Sequence, residues 1–285
     1  MHMFENVTAW PAPAKLNLFL HIIGRRSDGF HLLQTVFQFL DYGDRLQFAV
    51  REDGKIQRQT DLPGVTVESD LVVRAAHLLQ SVTGCKLGAD IALEKILHMG
   101  GGLGGGSSDA ATTLVALNAL WRQGLSEAQL AEIGLQLGAD VPVFVHGRAA
   151  WADGVGEKLQ AIDLPEPWYL VLTPPIAIAT AAVFQAAELT RDCQPITICD
   201  FLAGIGGNVF VPVVRKQYPA VAEALDWLGQ FSQASLTGTG SSVFAPFATE
   251  QAARAVEKQL PASWRGFVAR ARNCSPLQER LALER

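Results

Sequence analysis

The stretch "KILHMGGGLGGGSSDAATTLVALNALW", Lys95–Trp121, decides how the rest of the chain is read. Between Gly100 and Gly106 every position but Leu103 is glycine, and a helix follows at once. Ahead of it, "ADIALEKIL" (Ala89–Leu97) has the composition of a strand running into the loop. Behind it, Ala110, Leu114, Leu117 and Trp121 recur at helical spacing, which predicts a helix from Ser107 to about Trp121. A strand, a glycine run and a helix opening on Ser107–Ser108 make an anion site. Glycine takes positive φ and lets main-chain N–H groups approach a ligand closely. The first N–H groups of a helix lack internal partners and carry the positive end of its dipole. Each extra glycine costs about 0.5–1 kcal/mol of chain entropy, so a run this long predicts a close-approaching triphosphate rather than a plain turn.

Two other phosphate-binding designs do not fit. The Walker pattern needs a lysine after Gly106, where this chain has Ser107. A GxGxxG match runs through Gly100, Gly102 and Gly105, but so dense a glycine run matches it by accident. The dinucleotide fold also wants an acidic residue closing a second strand about twenty positions on. Here that region is the helix start "LSEAQ", Leu125–Gln129.

The chain has 285 residues, 49% hydrophobic and 18% charged, with net charge −5. That is enough for two domains with a sizeable core. An acidic balance argues against nucleic acid as a partner, since phosphate backbones demand clustered Lys and Arg. Cys85, Cys193, Cys199 and Cys274 are scattered without metal-ligand spacing, so they read as free thiols of a reducing compartment. The opening "MHMFENVTAW" lacks a signal-peptide pattern. "WYLVLTPPIAIATAAVFQAA", Trp168–Ala187, has the length of a membrane span, but Pro174 and Pro175 interrupt it. It reads as a strand at Tyr169–Leu172, a loop, and a helix from near Ala181. The expectation is a cytoplasmic protein with no membrane partner.

Along the chain, "KLNLFLHIIG" and "LLQTVFQFLDYGDRLQF" read as paired strands, bounded by the turn-forming "RRSDGFH" and "DYGD". "REDGKIQ" signals a further hairpin through its Asp-Gly step. "SDLVVRAAHLLQSVTG" is a helix capped by Ser69 or Asp70 and stopped at Gly84. "SEAQLAEIGLQLG" opens with a capping box, Ser126 to Gln129, and closes at Gly138. "IDLPEPW", Ile162–Trp168, is the candidate linker, which divides the chain at residues 162 and 163. Beyond it come helices near Ala220–Phe231 and from about Glu250, with "ASLTGTGSSVFAPF" between them.

Three stretches carry a resemblance: "PAKLNLFLHIIGRRSDGFHLLQTVFQ", "GGGLGGGSSDAA" and "LTGTGSSVFAPF". Together they resemble the GHMP small-molecule kinases over essentially the whole chain. The resemblance implies an α+β protein of the GHMP kinase fold. It would join an N-terminal ribosomal-protein-S5-domain-2-like α/β domain that binds ATP (1–162) to a C-terminal ferredoxin-like domain (163–285). Within the family, "GRRSDGFH" and "LGADVPVFVHGRAAWADGVGE" resemble the members that act on cytidine diphosphate-linked methylerythritol. That implies transfer of the ATP γ-phosphate to the 2-hydroxyl, with Mg²⁺ as helper, in a monomer or weak homodimer.

The resemblance also implies site residues. Asp140 of "GADVP" matches the catalytic aspartate, and its rival role is capping the turn at Val141–Val145. Lys15 of "PAKLN" matches the second catalytic residue. Asn17 lies two positions on and shares its strand face. Lys95, His98, Met99, Gly100, Gly101, Gly102, Leu103, Gly104, Gly105, Gly106, Ser107, Ser108 and Asp109 would hold the nucleotide. Phe30, His31, Thr180 and Phe184 would take the cytidine end, and Thr239 and Gly240 of "LTGTGSS" would complete the substrate pocket. No residue is assigned to metal. His98, Asp109 and Phe30 depart from the proline, asparagine and tyrosine common in the family.

Overall fold

Two long strands set the frame: β1 (Trp10–Arg25) and β2 (His31–Arg51), paired antiparallel. The computed structural model describes Phe4 and residues 7–284. Half of the opening stretch that bears on a leader sequence lies outside them. The β1–β2 register slips at Pro13/Lys15, Asn17/Leu20 and Ile22/Gly24. Bulges re-aim side chains, and the first two flank Lys15 and Asn17.

The "DYGD" step does not turn the chain, because β2 runs straight through it. Gly43 is required for a different reason. A Cβ there would stand 2.2 Å from the Ala12 carbonyl oxygen and 2.5 Å from Pro13 Cα, so β1 passes against bare backbone.

Next come β3 (Ile56–Arg58), α1 (Leu71–Thr83) and β4 (Gly88–Glu94). The expected hairpin at Asp53-Gly54 is a turn without strand pairing across it. β4 inserts between the two, antiparallel to β2 and parallel to β3. The apolar β4 takes the interior place and the short, half-exposed β3 the edge, as burial and edge protection require. α1 is capped as expected: Asp70 accepts the Val72 N–H, and Gly84 ends it in the left-handed region. α2 (Gly105–Leu120) is buried from Ser108 to Leu117, so the spaced row of Ala110, Leu114 and Leu117 marks one side of a helix enclosed all round. α3 (Glu127–Leu135) carries the capping box and stops short of Gly138. α4 (Val141–His146), β5 (Ala150–Asp153) and β6 (Lys158–Ala161) complete the first half.

The second half begins with β7 (Trp168–Thr173), α5 (Thr180–Gln185), α6 (Ile198–Leu202), α7 (Val211–Gln217) and α8 (Pro219–Gly229). It continues through β8 (Ser235–Leu236), β9 (Val243–Phe247), α9 (Glu250–Glu257) and β10 (Arg265–Arg272). Its fourth strand, β10, lies beside the first, β7, which is followed by the third and then the second, all antiparallel. That is the ferredoxin-like arrangement. The prolines divide the membrane-length stretch into β7, a loop and α5, and no described helix is long and apolar enough to cross a membrane.

The halves are stitched together. Ala271 and Arg272 of β10 pair with Leu40 and Phe39 of β2. The final helix, α10 (Pro276–Ala282), returns to the first half, where Leu277 joins the core of Trp10 and Phe144. A shared core of Leu16, Leu97 and Leu103 with Val171, Phe244 and Ala269 lies where the two halves meet.

Because β1 leaves no room beside Gly43, Gly43→Ala is expected to destabilise the fold by about 1–3 kcal/mol, the usual cost of overpacking. Urea unfolding measures it, and an unchanged midpoint would contradict the close strand crossing.

Candidate active site

The glycine loop is pressed closely against main chain at Gly102 and against side chains at Gly101, Gly104 and Gly105. A Cβ on Gly102 would stand 2.4 Å from the Thr237 carbonyl oxygen, and one on Gly101 would stand 2.8 Å from Ser242 Oγ. A Cβ on Gly104 would stand 2.7 Å from the Phe144 ring, and one on Gly105 would stand 3.1 Å from Lys95 Nζ. Gly100, Gly102 and Gly104 also have positive φ. Most of the run is therefore demanded by protein neighbours, not by a ligand alone. What the loop offers a ligand is its amides: among the described residues the main-chain N–H groups of Gly100–Ser107 have no hydrogen-bond partner. Gly104 caps α2 without a side-chain bond, so the helix entrance is bare.

Three contacts hold the loop in place. The Lys15 N–H donates to Leu103 O at 3.0 Å, and the Ser242 N–H to Gly101 O at 3.0 Å. Thr237 Oγ1 accepts the Asn17 N–H at 3.0 Å and donates to Gly102 O at 3.3 Å. The second glycine-rich segment, between β8 and β9, thus backs the first.

Asp44, which sequence reasoning missed, anchors the approach to the loop. Fully buried, it accepts the N–H groups of Ile96 and Leu97 at 2.6 and 2.7 Å, and Lys95 Nζ donates to its other oxygen at 2.6 Å. Lys95 lies just past the end of β4 and also donates to Asp109 on α2 at 2.6 Å. Burial works against the Lys95 ammonium, but the two carboxylates outweigh it and raise its pKa. Lys95 donates to Asp109 Oδ2, while Asp109 Oδ1 is buried without a partner among the described residues. Burial pushes its carboxyl up to about 8, against the pull of Lys95 and with the Asp44 charge adding to the rise. Asp44 thus accepts from three donors. An acid inside the apolar run "VFQFLDYGDRLQF" was the available signal, because buried carboxylates need partners.

Asp140 occupies the N-cap position of α4, yet its side chain makes no capping bond. Instead it lies 3.4 Å from Lys15 Nζ, half-exposed at the cleft while the lysine is buried. Lys15 Nζ donates to Asn17 Oδ1 at 2.5 Å and lies 5.4 Å from the centre of the Phe37 ring. Asn17 Nδ2 in turn donates to Thr35 Oγ1 at 2.9 Å. The shared strand face expected for Lys15 and Asn17 is present: the two side chains meet each other, and Lys15 reaches on to Asp140.

One cleft of 1110 Å³ is lined by Lys15, Asn17, Phe30, His31, Lys95, His98–Ser107, Asp109, Asp140, Thr180, Phe184 and Thr239. Ser108 and Gly240 do not line it. Ser108 is fully buried in the α2 packing, and Gly240 sits behind the second loop with its carbonyl oxygen towards Gly102. At one end the His31 and Phe184 rings lie 5.1 Å apart at 33°, and Phe210 backs Phe184 edge-on at 4.8 Å. Phe30 stands at the mouth, 63% exposed. Thr180 and Thr239 share a 3.0 Å hydroxyl contact that joins α5 to the second loop. His31 Nε2 is buried without a partner. Burial, then the charges of Arg191 and Arg25, lower the His31 pKa and favour the neutral ring. On the other side of the glycine loop, Leu62, Val65, Leu71 and Leu93 give the cleft an apolar wall. No spacing signal marked those four, because they come from a loop, a helix start and a strand that only folding gathers.

Comparison with known proteins agrees with this geometry. The "GHMP kinases N terminal domain" profile matches residues 70–148, and "GHMP kinases C terminal" matches residues 199–266. A Nitrosococcus oceani protein named 4-diphosphocytidyl-2-C-methyl-D-erythritol kinase is 63% identical, over 94% of this chain and 96% of its own length. An Aromatoleum aromaticum protein of the same name is 56% identical over 94% of each chain. A crystal structure of 4-(cytidine 5'-diphospho)-2C-methyl-D-erythritol kinase superposes with TM-score 0.81 at 31% identity, covering 93% of this chain and 99% of that one. Methanococcus jannaschii mevalonate kinase shares the fold alone, at TM-score 0.70 and 15% identity over 94% of this chain and 99% of that one. With its loops, its paired lysine and aspartate, and relatives this similar along nearly its whole length, the chain belongs to the GHMP kinase family, among the 4-diphosphocytidyl-2-C-methyl-D-erythritol kinases.

Proposed function

We propose that the chain transfers the γ-phosphate of ATP to the 2-hydroxyl of 4-diphosphocytidyl-2-C-methyl-D-erythritol, giving the 2-phosphate and ADP in non-mevalonate isoprenoid synthesis. The observation that carries the mechanism is Asp140 freed from capping and set 3.4 Å from a buried Lys15, in the same cleft as the bare α2 entrance. Phosphoryl transfer to an alcohol needs an oriented hydroxyl, a proton acceptor and stabilisation of the phosphoryl charge. Asp140 accepts the hydroxyl proton. Lys15 orients Asp140 and offsets charge on the attacking oxygen. Asn17, bonded to Lys15 and Thr35, keeps that lysine from swinging away.

The unpartnered amides of Gly100–Ser107 receive the phosphates, at the positive end of the α2 dipole. Leu62, Val65, Leu71 and Leu93 form an apolar seat for the adenine. Among the described residues no cluster of three or more His, Cys, Asp or Glu side chains is arranged to hold a metal ion. Mg²⁺ carried in on the triphosphate would need only one or two protein ligands. Ser107, whose cleft-lining hydroxyl has no partner among the described residues, would be its protein ligand, and the ion would neutralise phosphate charge. At the far end, Phe30 and Phe184 bracket the cytosine and the free His31 Nε2 meets its edge.

A coupled ADP-release assay with the cytidylated methylerythritol beside mevalonate and homoserine tests the substrate; turnover of either comparator instead would overturn the reading. Asp140→Asn is expected to lose at least ~10²-fold in kcat with ATP affinity intact, and near-normal turnover would remove the general base. His31→Ala should raise KM for the cytidylated substrate and leave KM for ATP unchanged; equal loss for both would mean a misassigned pocket. The folded-state pKa of Asp109 is raised from 3.8 to about 8, so its contribution to stability is full below the lower value and is lost as pH rises to the upper. Asp109→Asn is therefore expected to flatten the fall in stability between those two pH values, as read by unfolding midpoints across a pH series.

A further inference from the structure

The segment that carries Phe184 has little structure of its own to hold it. α5 is a single short helix of six residues, and residues 186–197 beyond it form neither helix nor strand. The carbonyls at a helix end lack internal partners. Here one side chain gathers them. Arg191 Nη2 donates to Phe184 O and Ala186 O, both at 2.8 Å, and Nη1 donates to Leu189 O at 3.0 Å. A guanidinium is a rigid fork of five donors, so it can span three carbonyls where a flexible ammonium cannot. Its charge also suits a helix C-terminus. None of these partners is a carboxylate, and Arg191 itself lines the cleft beside Phe184 and His31.

We propose that Arg191 is a positioning residue for base recognition: by fastening the end of α5 it sets the Phe184 ring against His31 and so governs specificity for the cytidylated substrate. The inference rests on the reading above that this end of the cleft takes a cytosine. Without the fork, the Phe184 carbonyl loses its donor and the ring loses the backbone that aims it. The ring contacts to His31 and Phe210 remain available, but the end of α5 is then held only by the long Ala186 N–H to Val183 O and Leu189 N–H to Ala186 O bonds, among the described main-chain bonds there. The charge acts on the same partner, since Arg191, from the segment after α5, and Arg25, from β1, both disfavour a second proton on His31.

The test uses the full chain with Arg191→Met, which keeps an apolar stem, and Arg191→Lys, which keeps the charge without the fork. Binding of cytidine 5'-diphosphate and of ATP is measured by titration calorimetry, with kcat and KM for both substrates. Both variants should weaken cytidine diphosphate and raise KM for the cytidylated substrate by ~10-fold or more, the scale of one lost base stack. ATP affinity and kcat should stay within about twofold, because the fork touches neither the glycine loop nor Asp140. An NMR titration separates charge from fork: the His31 pKa should rise in Arg191→Met and stay in Arg191→Lys. Unchanged cytidine diphosphate affinity in Arg191→Lys overturns the proposal, as does equal weakening of both nucleotides. If Arg191→Met fails to fold, the Arg191→Lys titrations decide alone. Failure of the unaltered protein to bind cytidine diphosphate would sink the cytosine slot, and this inference with it, which is a different result from normal binding that Arg191 does not influence.

Discussion

Two stretches of main chain meet in the middle of this molecule with no side chain between them. The Gly102 backbone lies against the Thr237 carbonyl so closely that a single methyl group would stand 2.4 Å from its oxygen. Everything in the cleft is placed from that contact. It brings the ferredoxin-like half against the entrance of α2, and it lets Thr237 bridge Gly102 and Asn17. Through Asn17 it reaches Lys15, and through Lys15 it reaches Asp140. A loop with ordinary residues would hold the two halves apart and separate the α2 entrance from Asp140.

Charge inside the cleft is arranged with equal economy. The chain is acidic overall, yet a ligand bearing several phosphates must be drawn in. Lys15 and Lys95 both line the cleft, but each is committed to carboxylates that hold it in position. The acidity is offset locally by amides that have no partner among the described residues and by the Arg25 and Arg191 guanidiniums, which also line the cleft. Main-chain dipoles and fixed guanidiniums need no rearrangement when a phosphate arrives, which is what preorganised stabilisation requires.

Much of the fold was legible in order along the chain. The Asp70 and Gly84 caps, the Ser126–Gln129 box and the prolines that divide the membrane-length stretch all act within a few residues of themselves, so local chemistry settles them. The misreadings share one cause. "DYGD" and "REDGKIQ" carry turn residues, but the first is a strand kept bare for β1 to cross. The second turns without a hairpin, because β4, thirty-odd residues on, claims the place between β2 and β3. Local turn preference is worth less than the burial of an apolar strand.

The site divides the same way. The glycine run, Lys15, Asn17 and Asp140 stand in recognisable patterns, so the sequence alone could single them out as candidates along with the family, and the fold brings them to one cleft. It could not tell how much of the glycine run answers to the protein itself, since most of those glycines face Thr237, Ser242, Phe144 or Lys95 at close quarters. Nor could it reveal Asp44 under the loop or Arg191 behind Phe184. Spacing records what neighbours along the chain can do together. Contacts between residues 44 and 96, or 102 and 237, exist only once the core has closed, and there the tertiary structure alone decided.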